Sequence, residues 1–71
     1  MYIKANEYKA NEIYKFIRQA TGKTHKKFAE ELGKSEDWSK SNENGRNNYK
    51  FNDLLKIAKL NNIEILIIKK D

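Results

Sequence analysis

The sequence predicts a mainly helical domain of four short helices followed by a C-terminal β-strand. Apolar residues recur at helical spacing, Gly and Asn residues separate these segments, and a run rich in isoleucine follows the last of them. The 71 residues are interpreted as one domain, residues 1–71. Because a domain of this size buries only about 60% of the surface of its unfolded chain, we expect a small core and either marginal stability or dimerisation.

The first helix is predicted to run from near Asn6 to the residue before Gly22. Apolar residues at i, i+3, i+4 and i+7 form its core-facing side: Ile13, Phe16, Ile17 and Ala20. Gly22 suits the left-handed residue that ends a helix, and Thr24 stands where a hydroxyl N-cap begins the next one. The second helix then covers residues 25–32 and ends at Gly33. Its inward-facing residues are predicted to be Phe28, Ala29 and Leu32.

The third helix is predicted to begin at Ser35, a second hydroxyl N-cap. Glu36 and Asp37 place negative charge in its first turn, where the helix dipole favours it. Asn44 and Gly45 form a strong turn signal, so the helix is expected to end there. A loop rich in asparagine follows this turn.

Asn52 is predicted to cap a fourth helix over residues 53–62, whose broad apolar face consists of Leu54, Leu55, Ile57, Ala58 and Leu60. Residues 63–69 predict a strand that is apolar on both sides, and a fifth helix of about two turns is the alternative. Such a strand needs an edge partner, either the Tyr2-Ile3 segment or the same strand of a second subunit. The residues expected at the dimer contact are Ile63, Ile65, Leu66, Ile67 and Ile68.

The composition argues against several classes of protein. The chain has no Cys and a single His, and no cluster of side chains stands at metal-ligand spacing. We therefore expect no catalytic residues, no metal and no cofactor. No apolar run suits a signal peptide or a membrane span, which leads us to expect a cytoplasmic protein with no membrane partner. The net charge of +5 favours polyanionic partners, although a solvated lysine-rich surface has the same composition.

Two short helices joined by a tight turn, together residues 24–44, match the arrangement of a helix-turn-helix. In that motif the second helix of the pair enters the major groove of DNA. Small helical bundles without this function share the pattern, so the geometry alone leaves the function open.

Residues 12–62 resemble the Cro and phage-repressor family, the XRE-type or lambda-repressor-like helix-turn-helix proteins. In that family an apolar residue and Ala precede Leu-Gly, a Ser or Thr cap, the recognition helix, Glu-x-Gly and a Leu-rich fourth helix containing Ile-Ala. The matching residues are Thr24, Phe28, Ala29, Leu32, Gly33, Ser35, Glu43, Gly45, Arg46, Leu55, Ile57, Ala58 and Leu60. The resemblance implies a homodimeric, sequence-specific regulator of transcription that binds double-stranded DNA, of the repressor or autorepressor type found in phages and mobile elements.

The resemblance also implies where DNA would bind. Helix three, residues 35–43, would lie in the major groove, while Thr24 and the amides that begin helix two would hold a phosphate. Lys23, Lys27 and Lys50 would support that contact electrostatically. The candidate DNA-binding residues are Thr24, His25, Lys26, Ser35, Glu36, Asp37, Trp38, Lys40, Ser41, Asn44, Arg46, Asn47 and Asn48.

The sequence departs from the family pattern on helix two and on the inner side of helix three. His25 replaces the usual Gln, and Ser39 and Asn42 stand at buried positions that are usually apolar. Either Trp38 covers the resulting gap, or the helix is loosely held until it meets a partner. The resemblance implies that Glu43 is a structural acid, which ties helix three to the following loop or to Arg46.

Two other interpretations stay open. A protein-binding module on the same scaffold, such as an antitoxin, an anti-repressor or an inhibitor of a nucleic-acid enzyme, is favoured by Glu36 and Asp37 and by the polar Ser39 and Asn42. The second alternative is that the chain is the DNA-binding part of a longer regulator, with the strand leading to a further domain.

Overall fold

The computed structural model describes residues 2–71. Four helices follow one another along the chain: α1 (Ala10–Thr21), α2 (His25–Glu30), α3 (Glu36–Asn44) and α4 (Phe51–Leu60). A short 3₁₀ helix at Ala5–Glu7 precedes them. The predicted mainly helical, four-helix architecture is thus confirmed.

Three of the predicted helix ends are set by local caps. Thr24 Oγ1 accepts a hydrogen bond from the Lys27 amide at the start of α2, and Ser35 Oγ accepts one from the Trp38 amide at the start of α3. Gly45 ends α3 with a φ of 86°, a left-handed conformation that costs glycine no Cβ clash. These hydrogen bonds and this backbone angle come from residues within one turn of each helix end.

The predicted start of the first helix is wrong. The chain is extended at Tyr8 and Lys9, which separates the 3₁₀ helix from α1, so α1 begins at Ala10 rather than near Asn6. The Lys9 amide donates to Glu12 Oε1 at 2.9 Å, and this contact supplies the N-terminal cap that the sequence pattern did not reveal.

The fourth helix also begins earlier than predicted. Its N-cap is Lys50 rather than Asn52, and the helix starts at Phe51. The Lys50 amide donates to Asp53 Oδ2 at 3.1 Å, so the carboxylate satisfies a backbone group that an asparagine cap was expected to serve. The helix ends at Leu60, and Asn62 takes a positive φ of 55° immediately after it.

The core is built around an aromatic side chain that the apolar pattern did not single out. Tyr14 is fully buried and packs with Ile17, Phe28 and Ile57. Its ring meets Phe28 edge-on, with the ring centroids 5.5 Å apart. The side of α1 that faces the core is therefore centred closer to Tyr14 than the sequence predicted.

The predicted core-facing side of α1 is accordingly wrong in part. Ile13 and Ile17 pack in the core as expected, but Ala20 is exposed and Phe16 packs edge-on against Tyr8 instead. The buried face of α4 is likewise narrower than predicted, since Leu55 and Leu60 are exposed. The other three residues of the predicted face, Leu54, Ile57 and Ala58, are buried or half-buried.

The tail forms neither the predicted strand nor the alternative fifth helix within residues 2–71. Ile63 packs against the core and its amide donates to the Ala58 carbonyl at 2.9 Å, but no regular secondary structure follows. The Tyr2-Ile3 segment, one of the two predicted edge partners, has no strand structure either. A strand requires an edge to pair with, and no strand is present within residues 2–71 to supply one.

Candidate nucleic-acid interface

The turn between α2 and α3 brings the two short helices together. Gly33 has a φ of 68°, and the Lys34 amide donates to the Ala29 carbonyl at 2.9 Å, which closes the end of α2. The chain then enters α3 through Ser35, and α3 packs against both α2 and α1. One side of α3 is consequently held by two other helices.

The inner side of α3 carries two completely buried polar residues, Ser39 and Asn42, at the positions where the family resemblance implied burial. Ser39 Oγ accepts a hydrogen bond from the Tyr14 hydroxyl at 2.8 Å and lies 2.8 Å from His25 Nδ1. This hydroxyl therefore joins α1, α2 and α3 at one point. Asn42 donates to the Trp38 carbonyl one turn back, but its Oδ1 atom has no hydrogen-bond partner among the described residues.

Trp38 covers part of this polar inner side. The indole is half-buried and meets the Tyr14 ring edge-on, with the centroids 5.9 Å apart. Lys34 Nζ lies 5.7 Å from the centroid of the indole ring. Of the two predicted possibilities for α3, the structure has the one in which Trp38 packs over the gap.

An ion pair fixes the C-terminal half of α3 to α1. The Arg18 guanidinium donates twice to the Glu43 carboxylate, from Nε to Oε2 at 2.6 Å and from Nη2 to Oε1 at 2.9 Å. Its third nitrogen, Nη1, donates to the Lys23 carbonyl at 3.0 Å. Hydrogen bonding to Arg18 lowers the pKa of Glu43, and the same contact raises the pKa of Arg18.

The partner of Glu43 differs from both of those that the family resemblance implied, the following loop and Arg46. Glu43 is bound by Arg18 rather than by Arg46, and its backbone carbonyl accepts from Asn11 Nδ2 at 3.3 Å. Sequence reasoning missed both α1 residues. Together with Tyr14 they occupy positions i, i+3 and i+7 of α1, so a polar stripe at helical spacing was the available signal.

His25 connects the buried hydroxyls to this ion pair. Its Nδ1 atom is 2.8 Å from Ser39 Oγ, and its Nε2 atom is 3.4 Å from Glu43 Oε2. Burial lowers the pKa of His25, the positive charge of Arg18 lowers it further, and Glu43 acts in the opposite direction. In the neutral tautomer with hydrogen on Nε2, the Ser39 hydroxyl donates to Nδ1 and Nε2 faces the Glu43 carboxylate. Each side chain in the series Tyr14, Ser39, His25 and Glu43 then has a hydrogen-bonding partner.

Ser39, His25 and Glu43 place a hydroxyl, an imidazole and a carboxylate in series, as in the catalytic triad of a hydrolase. Ser39 is fully buried and already accepts from Tyr14, and Glu43 is held in two hydrogen bonds by Arg18. A substrate carbonyl cannot approach Ser39 Oγ in this arrangement. The contacts therefore favour a structural role, in which the network positions α3.

The outer side of α3 is exposed and polar. Glu36, Asp37, Lys40 and Asn44 all face solvent, and Lys40 Nζ lies 3.2 Å from Glu36 Oε1 one turn away. Ser41, one of the candidate DNA-binding residues, is half-buried instead. A shallow groove runs beside this surface and is lined by Lys15, His25, Lys40, Glu43 and Asn44.

The candidate residues on either side of α3 are exposed, and some of them also cap a helix. Thr24, Lys26 and Ser35 are exposed, with the two hydroxyls serving as helix caps. After α3, Asn44 Oδ1 accepts from the Arg46 amide at 3.1 Å, and Arg46 itself is exposed. Asn47 and Asn48 are exposed as well.

Lys23, which was expected to support a phosphate contact electrostatically, has other partners, and so has Tyr49 in the loop after α3. Lys23 Nζ donates to both oxygens of the Glu31 carboxylate and to Asn61 Oδ1, which joins the end of α2 to the end of α4. Tyr49 packs on Tyr14 and donates its hydroxyl to the Ala10 carbonyl at 2.9 Å, and burial raises the pKa of Tyr49. Both side chains are engaged in holding the fold together.

Comparison of the chain with protein-family models, with curated proteins and with solved structures gives no match. Within residues 2–71, no helix has the length and apolar character needed to cross a bilayer. In the same part of the chain, no group of three or more His, Asp or Glu side chains is arranged to hold a metal ion. The functional argument therefore depends on the geometry around α3.

Proposed function

We propose that this chain is a sequence-specific regulator of transcription that binds double-stranded DNA, of the repressor or autorepressor type. The observation that supports this function is the division of α3 into two sides. Its inner side is anchored to α1 and α2 through Ser39 and Glu43, while its outer side presents exposed polar side chains. A rigidly held helix with a free polar face is the element that the major groove of DNA accepts.

The outer side of α3 offers donors and acceptors suited to base edges. Lys40 supplies a donor for the guanine acceptors, and Asp37 supplies an acceptor for the cytosine amino group. Asn44 offers its Nδ2 atom as a donor, while its Oδ1 atom accepts from the amide and from Nε of Arg46. Glu36 is partly neutralised by Lys40 at 3.2 Å, which reduces its repulsion from phosphates. In this proposal the recognition surface consists of Glu36, Asp37, Lys40 and Asn44.

Contacts to the DNA backbone are proposed for the exposed residues on either side of α3. Lys26 lies in the first turn of α2, and Arg46, Asn47 and Asn48 follow the end of α3. Two of the nearby acids, Glu31 and Glu43, are paired with Lys23 and Arg18 respectively, so their negative charge is compensated within the fold. This compensation favours approach of a phosphate backbone.

A protein-binding module on the same scaffold is the second candidate function. The exposed acids at the start of α3 favour it, because Asp37 has no cation within ion-pair distance among the described residues. A protein partner with a basic surface would suit such a helix, whereas DNA requires a specific base contact to offset the repulsion.

A titration with two duplexes tests the proposal. The fluorescence of Trp38 is followed as the protein binds DNA from upstream of its own gene and a scrambled duplex, at low and high salt. We expect tighter, saturable binding to the upstream duplex. Equal or absent binding to both duplexes at low salt would contradict the proposal, and capture of a specific protein by the same surface would then favour the second function.

Substitutions on α3 sharpen this test. Lys40→Ala and Asn44→Ala are each expected to weaken binding to the preferred duplex by about 1–3 kcal/mol, with little effect on the scrambled one. Lys59→Ala on the exposed part of α4 is the matched control, since it removes the same kind of charge away from α3. Equal losses on both duplexes would reassign Lys40 and Asn44 to backbone contacts.

A further inference from the structure

The turn that ends α3 contains the only asparagine of the sequence that is followed by glycine. Asn44 and Gly45 are both exposed, and Gly45 has a φ of 86°. The side-chain amide carbon of an asparagine and the next backbone nitrogen can close a five-membered ring, and glycine has no Cβ to hinder the closure. Asparagine is accordingly one of the chemically labile residues of proteins. The proposed function uses the side chain of Asn44 but not this reactivity.

The backbone nitrogen of Gly45 is free to act as the attacking atom. Its amide makes no hydrogen bond among residues 2–71. The Ser41 carbonyl, the usual acceptor at this position of a helix, accepts from the Asn47 amide at 3.2 Å instead. Ring closure requires rotation about the Cα–C bond of Asn44. This residue is the last one of α3, where fraying costs little free energy.

The side-chain carbonyl of Asn44 is held by two donors. Its Oδ1 atom accepts from the Arg46 amide at 3.1 Å and from Arg46 Nε at 3.3 Å. Attack on the adjacent carbon, Cγ, moves negative charge onto Oδ1, and donors aimed at an oxygen where charge develops stabilise the transition state. The positive charge of the guanidinium strengthens this effect. Arg46 therefore polarises the carbonyl group that the Gly45 nitrogen attacks.

We propose that Asn44 and Gly45 form a site of spontaneous deamidation, which converts a residue of the proposed recognition surface into aspartate or isoaspartate. The Gly45 nitrogen loses its proton to hydroxide and forms a bond to Asn44 Cγ, and Nδ2 then takes up a proton from water and leaves as ammonia. Water opens the resulting cyclic imide. Addition at Cγ gives aspartate, whereas addition at the main-chain carbonyl carbon gives isoaspartate, in which the chain continues through the side chain. The overall reaction consumes one water and releases one ammonia.

The modification changes the end of α3 that the proposed function places against DNA. Either product replaces the Nδ2 donor of Asn44 by a carboxylate, which DNA phosphates repel. Isoaspartate also adds one atom to the backbone at the point where Gly45 turns the chain. Affinity for the preferred duplex is therefore expected to fall as the protein ages. This consequence rests on the proposed function, whereas the deamidation itself does not.

Ageing of the full chain without DNA tests the reaction. The protein and a synthetic peptide of residues 41–48 are kept in the same neutral buffer until the peptide has largely reacted. Peptide mapping by mass spectrometry then locates each amide that has become an acid. We expect conversion at Asn44, while Asn42, Asn47 and Asn48 keep their amides. These three are internal controls, because Asn42 is buried and the other two are exposed but precede larger residues. An intact Asn44 in the folded chain, or faster conversion at Asn47 or Asn48, would overturn the proposal.

Variants separate the contributions of the reacting groups. Asn44→Gln is expected to stop the conversion at this position, because ring closure through the longer side chain is slower. Arg46→Leu removes the Nε donor but keeps the backbone amide, and it is expected to slow conversion roughly two- to tenfold, the change that the loss of one hydrogen bond produces. Lys50→Leu removes one positive charge from the same loop and is the matched control. Equal rates in these two variants would refute the role of the Arg46 side chain. Circular dichroism checks that the helices are retained.

A duplex titration tests the consequence for DNA. Cation exchange separates the deamidated protein, whose net charge is less positive, and its affinity for the upstream duplex is compared with that of fresh protein. We expect a loss of roughly tenfold. Fresh and aged Asn44→Gln proteins are expected to bind equally. Equal affinities of fresh and deamidated protein would refute the effect on recognition. Absence of duplex binding by fresh protein would instead contradict the proposed function, and the mass-spectrometric result would still decide whether the site deamidates.

Discussion

Replacement of Asn42 by Leu is expected to stabilise the domain, although it removes a hydrogen bond. Asn42 is fully buried, its Nδ2 atom donates to the Trp38 carbonyl at 2.8 Å, and its Oδ1 atom has no partner among the described residues. Leu has the same branched shape and the same number of side-chain heavy atoms, although its methyl groups take up more volume than the amide, which offsets part of the gain. The substitution therefore exchanges a half-satisfied amide for an apolar group.

The expected magnitude follows from two opposing effects. A buried carbonyl without a partner costs about 1–3 kcal/mol, and its removal recovers that free energy. The lost bond from Nδ2 is worth about 0.5–1.5 kcal/mol, and the Trp38 carbonyl is still able to accept the amide four residues on in the helix. The central values of these two ranges give a net gain of about 1 kcal/mol, which raises the melting temperature of a domain of this size by roughly 4–8 °C.

Urea unfolding followed by circular dichroism and by the fluorescence of Trp38 measures this gain. The matched variant is Ser39→Ala, which changes the neighbouring buried polar residue of α3. Because Ser39 Oγ serves both Tyr14 and His25, its loss is expected to destabilise the domain by about 1–3 kcal/mol. A lower stability for Asn42→Leu would refute the reasoning, since it would mean that an internal water or another group satisfies Oδ1.

The remaining predictions concern the ionisable part of the network. Glu43→Gln is expected to cost about 2–4 kcal/mol, because it leaves the guanidinium of Arg18 without its carboxylate. Arg18 lowers the pKa of Glu43, so this stabilisation is present above the ordinary value of about 4.5 and is lost as the pH falls below it. Urea midpoints between about pH 3 and pH 7 measure the effect, and an unchanged acid profile in the variant would contradict it. Burial lowers the pKa of His25, so the fold favours the neutral imidazole, and stability is expected to fall as the pH drops from about 6.5 through the lower folded value. His25→Gln is expected to remove that slope, and a slope that persists in the variant would assign it to another group.

Most of the secondary structure was predictable because its signals are local. Thr24 and Ser35 cap the helices they were expected to cap, and Gly22 and Gly45 end helices in the left-handed conformation. Each of these contacts joins residues within one turn of the chain. The start of α4 was predicted wrongly because two local signals compete. Both Asn52 and the Asp53 carboxylate are able to cap the helix, and the local sequence does not decide between them.

The site was predictable only in part. Local cap signals located α3, whereas the family resemblance implied the burial of Ser39 and Asn42 and placed Lys40 and Asn44 on the side that faces DNA, where both are exposed. The sequence did not identify Arg18, which holds Glu43 from 25 positions away in the chain. A pairing of that kind depends on how α1 lies across α3.

The sequence by itself determined the presence of four helices, the polar character of α3 and the caps at Gly22, Thr24, Ser35 and Gly45, because these features depend on neighbouring residues and on the period of the helix. Tertiary structure alone decided that Tyr14, Ser39, His25, Glu43 and Arg18 form one connected network. Hydrogen bonds form over about 3 Å, and packing of helices distant in sequence sets such distances. The tail shows the same limit, since the edge that a strand needs lies outside its own sequence.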